Sequence, residues 1–383
     1  MTLYLDHNAT TPLDPRVQAE INRCFNEEYG NAGSPHAFGL RAKQIVHRAR
    51  DRIGGIVNAR RHEVIFTSGA TESNNLAILG LAEYGLKTGK RHIVSTQIEH
   101  KAVLEPLAAL AERSFDVTLI PPDRNGRISA EELLQAVRPE TLLISVMHVN
   151  NETGVIQPIE EIAAGLQDRR DLFLHVDAAQ GFGKEPSGIG HERIDLISVS
   201  SHKLNGPVGV GALIARRRGT ECVPLTPLMY GGGQELGIRP GTLPVALISG
   251  FGLAVELASL EQQSRRNACL TIRERILSRL APLNPTLYGD SAHSLPHVAC
   301  LAFPGWDADT LIEDLGEIAA VSTGAACTSV CATASHVLAA MQVPQPDLDG
   351  AVRFSWSHLT DLSQIDPTMD QIVIRLSKHP APR

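Results

Sequence analysis

Six continuous apolar runs constrain how this chain can fold: EVIFTS (63–68), HIVSTQ (92–97), LLISVMHV (142–149), LFLHVDAA (172–179), IDLISVS (194–200) and GVGALIA (209–215). They are rich in β-branched residues and lack polar alternation, so each reads as a strand buried on both faces. Helix-like stretches such as SNNLAILGLAEYGLKTG and SAEELLQAV lie between them. Strands alternating with helices predict an α/β fold with a mostly parallel sheet sandwiched by helices.

The character changes after a long helical stretch that begins at Pro244 and runs to Leu280. VACLAF and AVRFSWS are candidate strands of a smaller α+β unit. The expected break lies near residue 260, giving a large domain over 16–259 and a small domain built from 1–15 and 260–383. A chain of 383 residues has room for both cores.

The net charge of -7 argues against a general nucleic-acid-binding surface. The basic run Ala215-Arg216-Arg217-Arg218 reads as a solvated turn after a strand. No 18-residue apolar run occurs, and the N-terminus has polar residues where a secretory signal is apolar. A cytoplasmic protein without membrane attachment is expected. The six cysteines (Cys24, Cys222, Cys269, Cys300, Cys327 and Cys331) show no zinc-ligand spacing, so no metal is expected and reduced thiols are the default.

In a doubly wound sheet, ligands sit beyond the carboxyl ends of the strands. Gly69-Ala70-Thr71 follows the first run, a small-residue turn opening a helix, which suits an anion. Glu99 and His100 follow the second run, and Asn150, Asn151 and Glu152 the third. Asp177 ends the fourth with Gln180 behind it, and Ser200, His202 and Lys203 close the fifth. An imidazole, an amide, a carboxylate and a lysine at one edge, beside an anion site, describe a pocket for a phosphorylated heteroaromatic ring. Pyridoxal 5′-phosphate needs a lysine for its aldehyde and a carboxylate for its ring nitrogen. Asp177 and Lys203 fit those two roles, from neighbouring strand ends.

With YLDHNATTPLDPRV, FTSGATESNN, QIEHKAVLEP, MHVNNETGVIQP, HVDAAQ, SSHKLNGPVGVGAL, GGGQELGIRPGTLP, STGAACTSVCATASHVL and VRFSWS in this order, the chain resembles the cysteine desulfurases (NifS/IscS-like) of the fold-type I pyridoxal-phosphate-dependent transferases. The resemblance implies a homodimer with its active site at the subunit interface. It puts Lys203 on the aldehyde, Asp177 on the ring nitrogen, His100 stacked on the ring and moving protons, and Asn151 and Gln180 on the phenolic oxygen. It puts Thr71, Ser200 and His202 on the phosphate, with Thr242 from the neighbouring subunit, and Arg353 on the substrate carboxylate, with Asn151 also contacting the substrate. Cys327 matches the cysteine that takes sulfur from L-cysteine, leaving L-alanine and a persulfide. A thiol titrating near 8.5 needs nearby cations or a general acid–base to act as a thiolate at neutral pH. Cys331 reads as structural or as a secondary acceptor. Another reaction of the same fold, that of a selenocysteine lyase or an aminotransferase, is the alternative.

Ser322–Ser335 is rich in Gly, Ala, Ser and Thr, so a mobile loop carrying Cys327 to a protein sulfur acceptor is expected. Two motifs depart from the family: GNAGS stands where GNPSS is frequent, and Asn205-Gly206-Pro207-Val208-Gly209 where Tyr-Gly-Pro-Lys-Gly is usual. Enzymes of this type serve iron–sulfur cluster assembly, tRNA thiolation and DNA phosphorothioate modification. Relatives that feed the housekeeping iron–sulfur scaffold carry a longer tail than a chain ending at Arg383, which points toward a specialised pathway, DNA phosphorothioation among them.

Overall fold

The computed structural model describes residues 2–303, 305–324 and 335–378. The strands among them are, in chain order, β1 (Leu3–Tyr4), β2 (Val64–Thr67), β3 (His92–Thr96), β4 (Asp116–Ile120), β5 (Thr141–Met147), β6 (Phe173–Asp177), β7 (Leu196–Ser200), β8 (Gly211–Ala215), β9 (Thr286–Tyr288), β10 (Val298–Ala302), β11 (Ala319–Ala320) and β12 (Ala351–Ser355).

Seven strands form one sheet in the order β2-β8-β7-β6-β5-β3-β4. β8 alone runs against its neighbours, so β2, β7, β6, β5, β3 and β4 all end at the same edge. Alternation along each strand sends side chains into two separate cores. Val64 and Phe66 of β2 pack with helices Pro15–Glu27, Ala37–Ile56 and Val245–Leu260, while Ile65 between them packs with helices Ala70–Leu79 and Lys101–Ala111. Burial of both faces is why these strands carry no polar alternation.

A third core joins the N-terminal segment to the chain's last third: Leu5 packs with Ile272, Leu301, Phe354, Trp356 and Ile372. β9, β10 and β12 form its antiparallel sheet, and β1 pairs with β11 in parallel. Among the described residues no single helix is long and apolar enough to cross a membrane.

Three elements differ from the sequence reading. SNNLAILGLAEYGLKTG forms two helices, Ala70–Leu79 and Ala82–Thr88, rather than one. The stretch ending at Leu280 is likewise split, and its halves bend by 77° at Glu261. DVTLI, absent from the strand reading, is the edge strand β4, with an exposed Asp116 and Leu119 that blur its apolar pattern. The Arg216–Arg218 run is solvated only at Arg217: Arg216 is buried against the Val57 and His191 carbonyls, and Arg218 grips both oxygens of Asp195 at 2.8 and 2.9 Å while lying over the Phe173 ring.

Candidate active site

The shared strand edge opens into a cleft of about 320 Å³. It is lined by Ala70, Thr71, His100, Asn151, Asp177, Gln180, Ser200, His202, Lys203 and Arg353, which therefore share one site although they come from distant parts of the chain. Thr242 is exposed and does not line the cleft of its own chain. Cys327 and Cys331 lie outside the described residues.

Asp177 is the last residue of β6, and its carboxylate is fixed from two sides. Asn74 donates from Nδ2 to Oδ2 at 2.7 Å, and the Ala179 N–H donates to Oδ1 at 3.0 Å. One strand away, β7 ends at Ser200 and the chain tightens into a 3-10 turn over Ser201–Lys203. That turn presents Lys203, whose Nζ donates to the Asn8 carbonyl at 2.5 Å and the Ala9 carbonyl at 2.7 Å. His100 caps the helix Lys101–Ala111: its Nδ1 accepts from the Ala102 N–H at 3.0 Å. In the neutral ring this leaves the proton on Nε2.

The helix Ala70–Leu79 begins at Gly69 without a side-chain cap, so its first N–H groups are free to meet an anion. Beside it Ser200 is buried, and its Oγ has no partner among the described residues. Ser200 Oγ lies 3.6 Å from where a Cβ on Gly69 would stand, so hydroxyl and helix terminus face the same space. His202, with Nδ1 3.2 Å from Thr10 Oγ1, has its pKa lowered to about 4 by burial and then by the charges of Lys203 and Lys184, so it is a neutral donor at pH 7. An orphaned buried hydroxyl beside an uncapped helix terminus fits a phosphate, and the lysine–aspartate pair fits the rest of pyridoxal phosphate.

Arg353, on β12, is buried. Its Nη2 pairs with Asp6 Oδ1 at 2.8 Å, its Nη1 donates to the Asn151 carbonyl at 3.1 Å, and its Nε has no partner among the described residues. Gln180 donates from Nε2 to the Asn8 carbonyl at 3.0 Å, which leaves its Oε1, not its amide nitrogen, toward a ligand.

Two residues escaped the sequence reading as site components, and a third changes its meaning. Asn8 links the parts: its carbonyl receives Lys203 and Gln180, and its Nδ2 donates to the Asn151 carbonyl at 3.0 Å. Asn74 orients Asp177. Glu99 is fully buried; its Oε1 accepts from Thr96 Oγ1 at 2.7 Å and from the Met147 N–H at 2.9 Å. Burial pushes its carboxyl up to about 8, and the Asp177 charge adds to the shift, so Glu99 is protonated at pH 7. The available signals were the NAT and SNN triplets inside motifs already noted.

Cys24, Cys269 and Cys300 are buried and Cys222 is exposed, with no disulfide among them. Burial raises the Cys269 and Cys300 thiols to about 12, which makes them poor nucleophiles.

Residues 3–367 match the family model of class-V aminotransferases. The chain is 40% identical over 383 residues to the cysteine desulfurase IscS of Vibrio atlanticus, covering 99% of this chain and 93% of that protein. A solved NifS-like protein superposes with a TM-score of 0.91 at 35% identity, over 99% of this chain and 100% of that one. DndA from Streptomyces lividans superposes with a TM-score of 0.81 at 47% identity, over 91% and 98%. Cysteine desulfurases of this family work with pyridoxal 5′-phosphate. With the fold, the cleft and nearly the whole length in agreement, this chain belongs to the class-V aminotransferase family and, within it, to the cysteine desulfurases.

Proposed function

We propose that the chain converts L-cysteine to L-alanine and leaves the sulfur as a persulfide on Cys327. The observation that carries this reading is the meeting of Lys203, Asp177 and Arg353 in one cleft with an uncapped helix terminus. Ala70, Thr71, Ser200 and His202 hold the phosphate, Asp177 keeps the proton on the ring nitrogen, and Lys203 holds the aldehyde. When bound, the cofactor supplies an aldehyde that captures the substrate amine and a ring that accepts the electrons of the Cα–H bond.

The chain's own groups do the rest. The Arg353 guanidinium takes the substrate carboxylate, exchanging its contact with Asp6 for one with the ligand. The Lys203 amine removes the proton from Cα, and His100 works as the second proton carrier. The thiolate of Cys327 attacks the substrate sulfur; an S–S bond forms as the Cβ–S bond breaks, and the electrons left at Cβ take up a proton. One cysteine and one enzyme thiol thus become one alanine and one persulfide.

A homodimer belongs to the same reading. Val208, which lines the cleft, is 69% exposed, and Tyr230 and Leu236 are 85% and 66% exposed on the segment that Arg239 ties to Glu72, the neighbour of Thr71. Apolar side chains at a site's edge call for a cover, and the exposed Thr242 on that segment is then available to the neighbour's phosphate. The persulfide passes to a protein acceptor, for which a specialised pathway such as DNA phosphorothioate modification is the favoured reading; capture of partners on the persulfidated enzyme tests it.

Two experiments test the core. Borohydride reduction of the holoenzyme followed by digestion should tag the peptide containing Lys203, and a tag elsewhere refutes the cofactor assignment. With L-cysteine and a thiol reductant, alanine and sulfide should appear together. Cys327→Ser should abolish both, whereas an aminotransferase would keep its turnover.

A further inference from the structure

A second cavity, of about 60 Å³, shares only Lys203 with the cleft. Its apolar lining includes Leu204, Ala258, Leu295 and Pro296. Its polar wall carries Lys184, Lys203, Arg265, Arg266, His297 and His358, and no Asp or Glu lines it. Some of that positive charge is compensated from outside: Arg265 bridges Glu261 at 2.8 Å and lies 3.8 Å from Asp14, and Arg266 lies 3.9 Å from Glu185.

Lys184 has no such carboxylate within salt-bridge distance among the described residues. Its Nζ lies 3.3 Å from Nε2 of His297, a ring that burial keeps neutral. Burial, and then the charge of Lys203, lower the Lys184 pKa to about 7. A lysine held this way lacks a counter-ion. A second polar group is left over as well: the enclosed Nε2 of His358 has no hydrogen-bond partner among the described residues.

We propose that this cavity binds a small organic monocarboxylate with a short apolar chain, the carboxylate on Lys184 and Arg266 and the chain against Leu204 and Pro296. The site takes its ligand on groups outside the proposed reaction and touches that reaction only through Lys203, which lines both cavities. Apolar surface next to the cations favours an organic anion over an inorganic one. An amino acid is disfavoured, because no carboxylate lines the cavity to receive its ammonium group. An anion here neutralises the like charge facing Lys203, so occupancy is coupled to the cleft through that one shared side chain.

The test is binding of 4,4,4-trifluorobutyrate to the holoenzyme, followed by its ¹⁹F line width. Arg353 in the cleft also suits carboxylates, so variants separate the two sites. Lys184→Met should weaken binding at least about ten-fold, while Arg353→Leu should leave it within about two-fold. Should Lys184→Met not fold, Arg266→Gln carries the same expectation. Binding lost in Arg353→Leu but intact in Lys184→Met, or no binding at all, overturns the proposal. Acetate binding as tightly as the probe overturns the part assigned to the apolar chain.

Discussion

Asn74 Nδ2 donates to Asp177 Oδ2 across 2.7 Å, and both side chains are buried. The asparagine sits one turn into the helix whose terminus faces the same cleft, so a single helix serves both ends of the proposed cofactor site. A hydrogen bond to a charged group contributes about 1.5–3 kcal/mol. Asn74→Ala should therefore weaken pyridoxal phosphate binding about ten- to hundred-fold, measured by equilibrium dialysis. Unchanged affinity would mean that Asp177 does not need this support.

Glu99 should give the stability curve a recognisable pH dependence. Its folded pKa, about 8, lies above the ordinary glutamate value of 4.5, so between these values the folded state holds a proton that the unfolded state has lost. Stability from this group is complete below about 4.5 and is lost as pH rises toward 8, at about 1.4 kcal/mol per pH unit. Glu99→Gln, neutral throughout, should lack that slope. Urea unfolding of both proteins from pH 5 to 8 checks it, and parallel curves would count against a protonated Glu99.

At Gly211 the backbone leaves no room for a side chain. A Cβ there would lie 2.5 Å from the Val199 carbonyl oxygen and 2.6 Å from Gly69 Cα, both main-chain atoms. Overpacking of this kind costs about 1–3 kcal/mol. Gly211→Ala should lower the melting temperature and, by pushing Gly69, also weaken cofactor binding. A variant as stable and as well loaded as the native chain would show that β2 and β8 can part freely.

Arg353→Lys is expected to raise KM for L-cysteine by about ten-fold or more, with a smaller change in kcat. An ammonium is a point charge; it cannot hold Asp6 and the Asn151 carbonyl together and then receive a carboxylate in two-pronged fashion. Steady-state alanine formation measures it. A KM that stays put would place the substrate carboxylate elsewhere.

Which residues could be read from sequence follows from where their information lies. The strands of the large sheet were legible because burial on both faces demands uninterrupted apolar residues, and their ends exposed Asp177 and Lys203 as neighbours. β4 was not, because an edge strand is half-exposed and its DVTLI pattern is mixed. The split at Gly80–Leu81 and the bend at Glu261 follow from packing that no local pattern announces. Asn8 and Asn74 were invisible as site residues because an asparagine's role depends on which distant carboxylate or carbonyl it meets. Glu99 was legible as a strand-end carboxylate, but its protonation comes from complete burial.

By itself the sequence determined the alternation of strands and helices, the residue types at the strand ends, and hence the kind of chemistry they suit. Those are local properties, set by burial pattern and turn composition. Tertiary structure alone decided that Asn8, from the N-terminus, supports Lys203 and Gln180, that Arg353 reaches the cleft from another sheet, and that Lys203 stands between two cavities. Contacts between residues hundreds of positions apart depend on how the cores pack against each other, and no short stretch of chain encodes that.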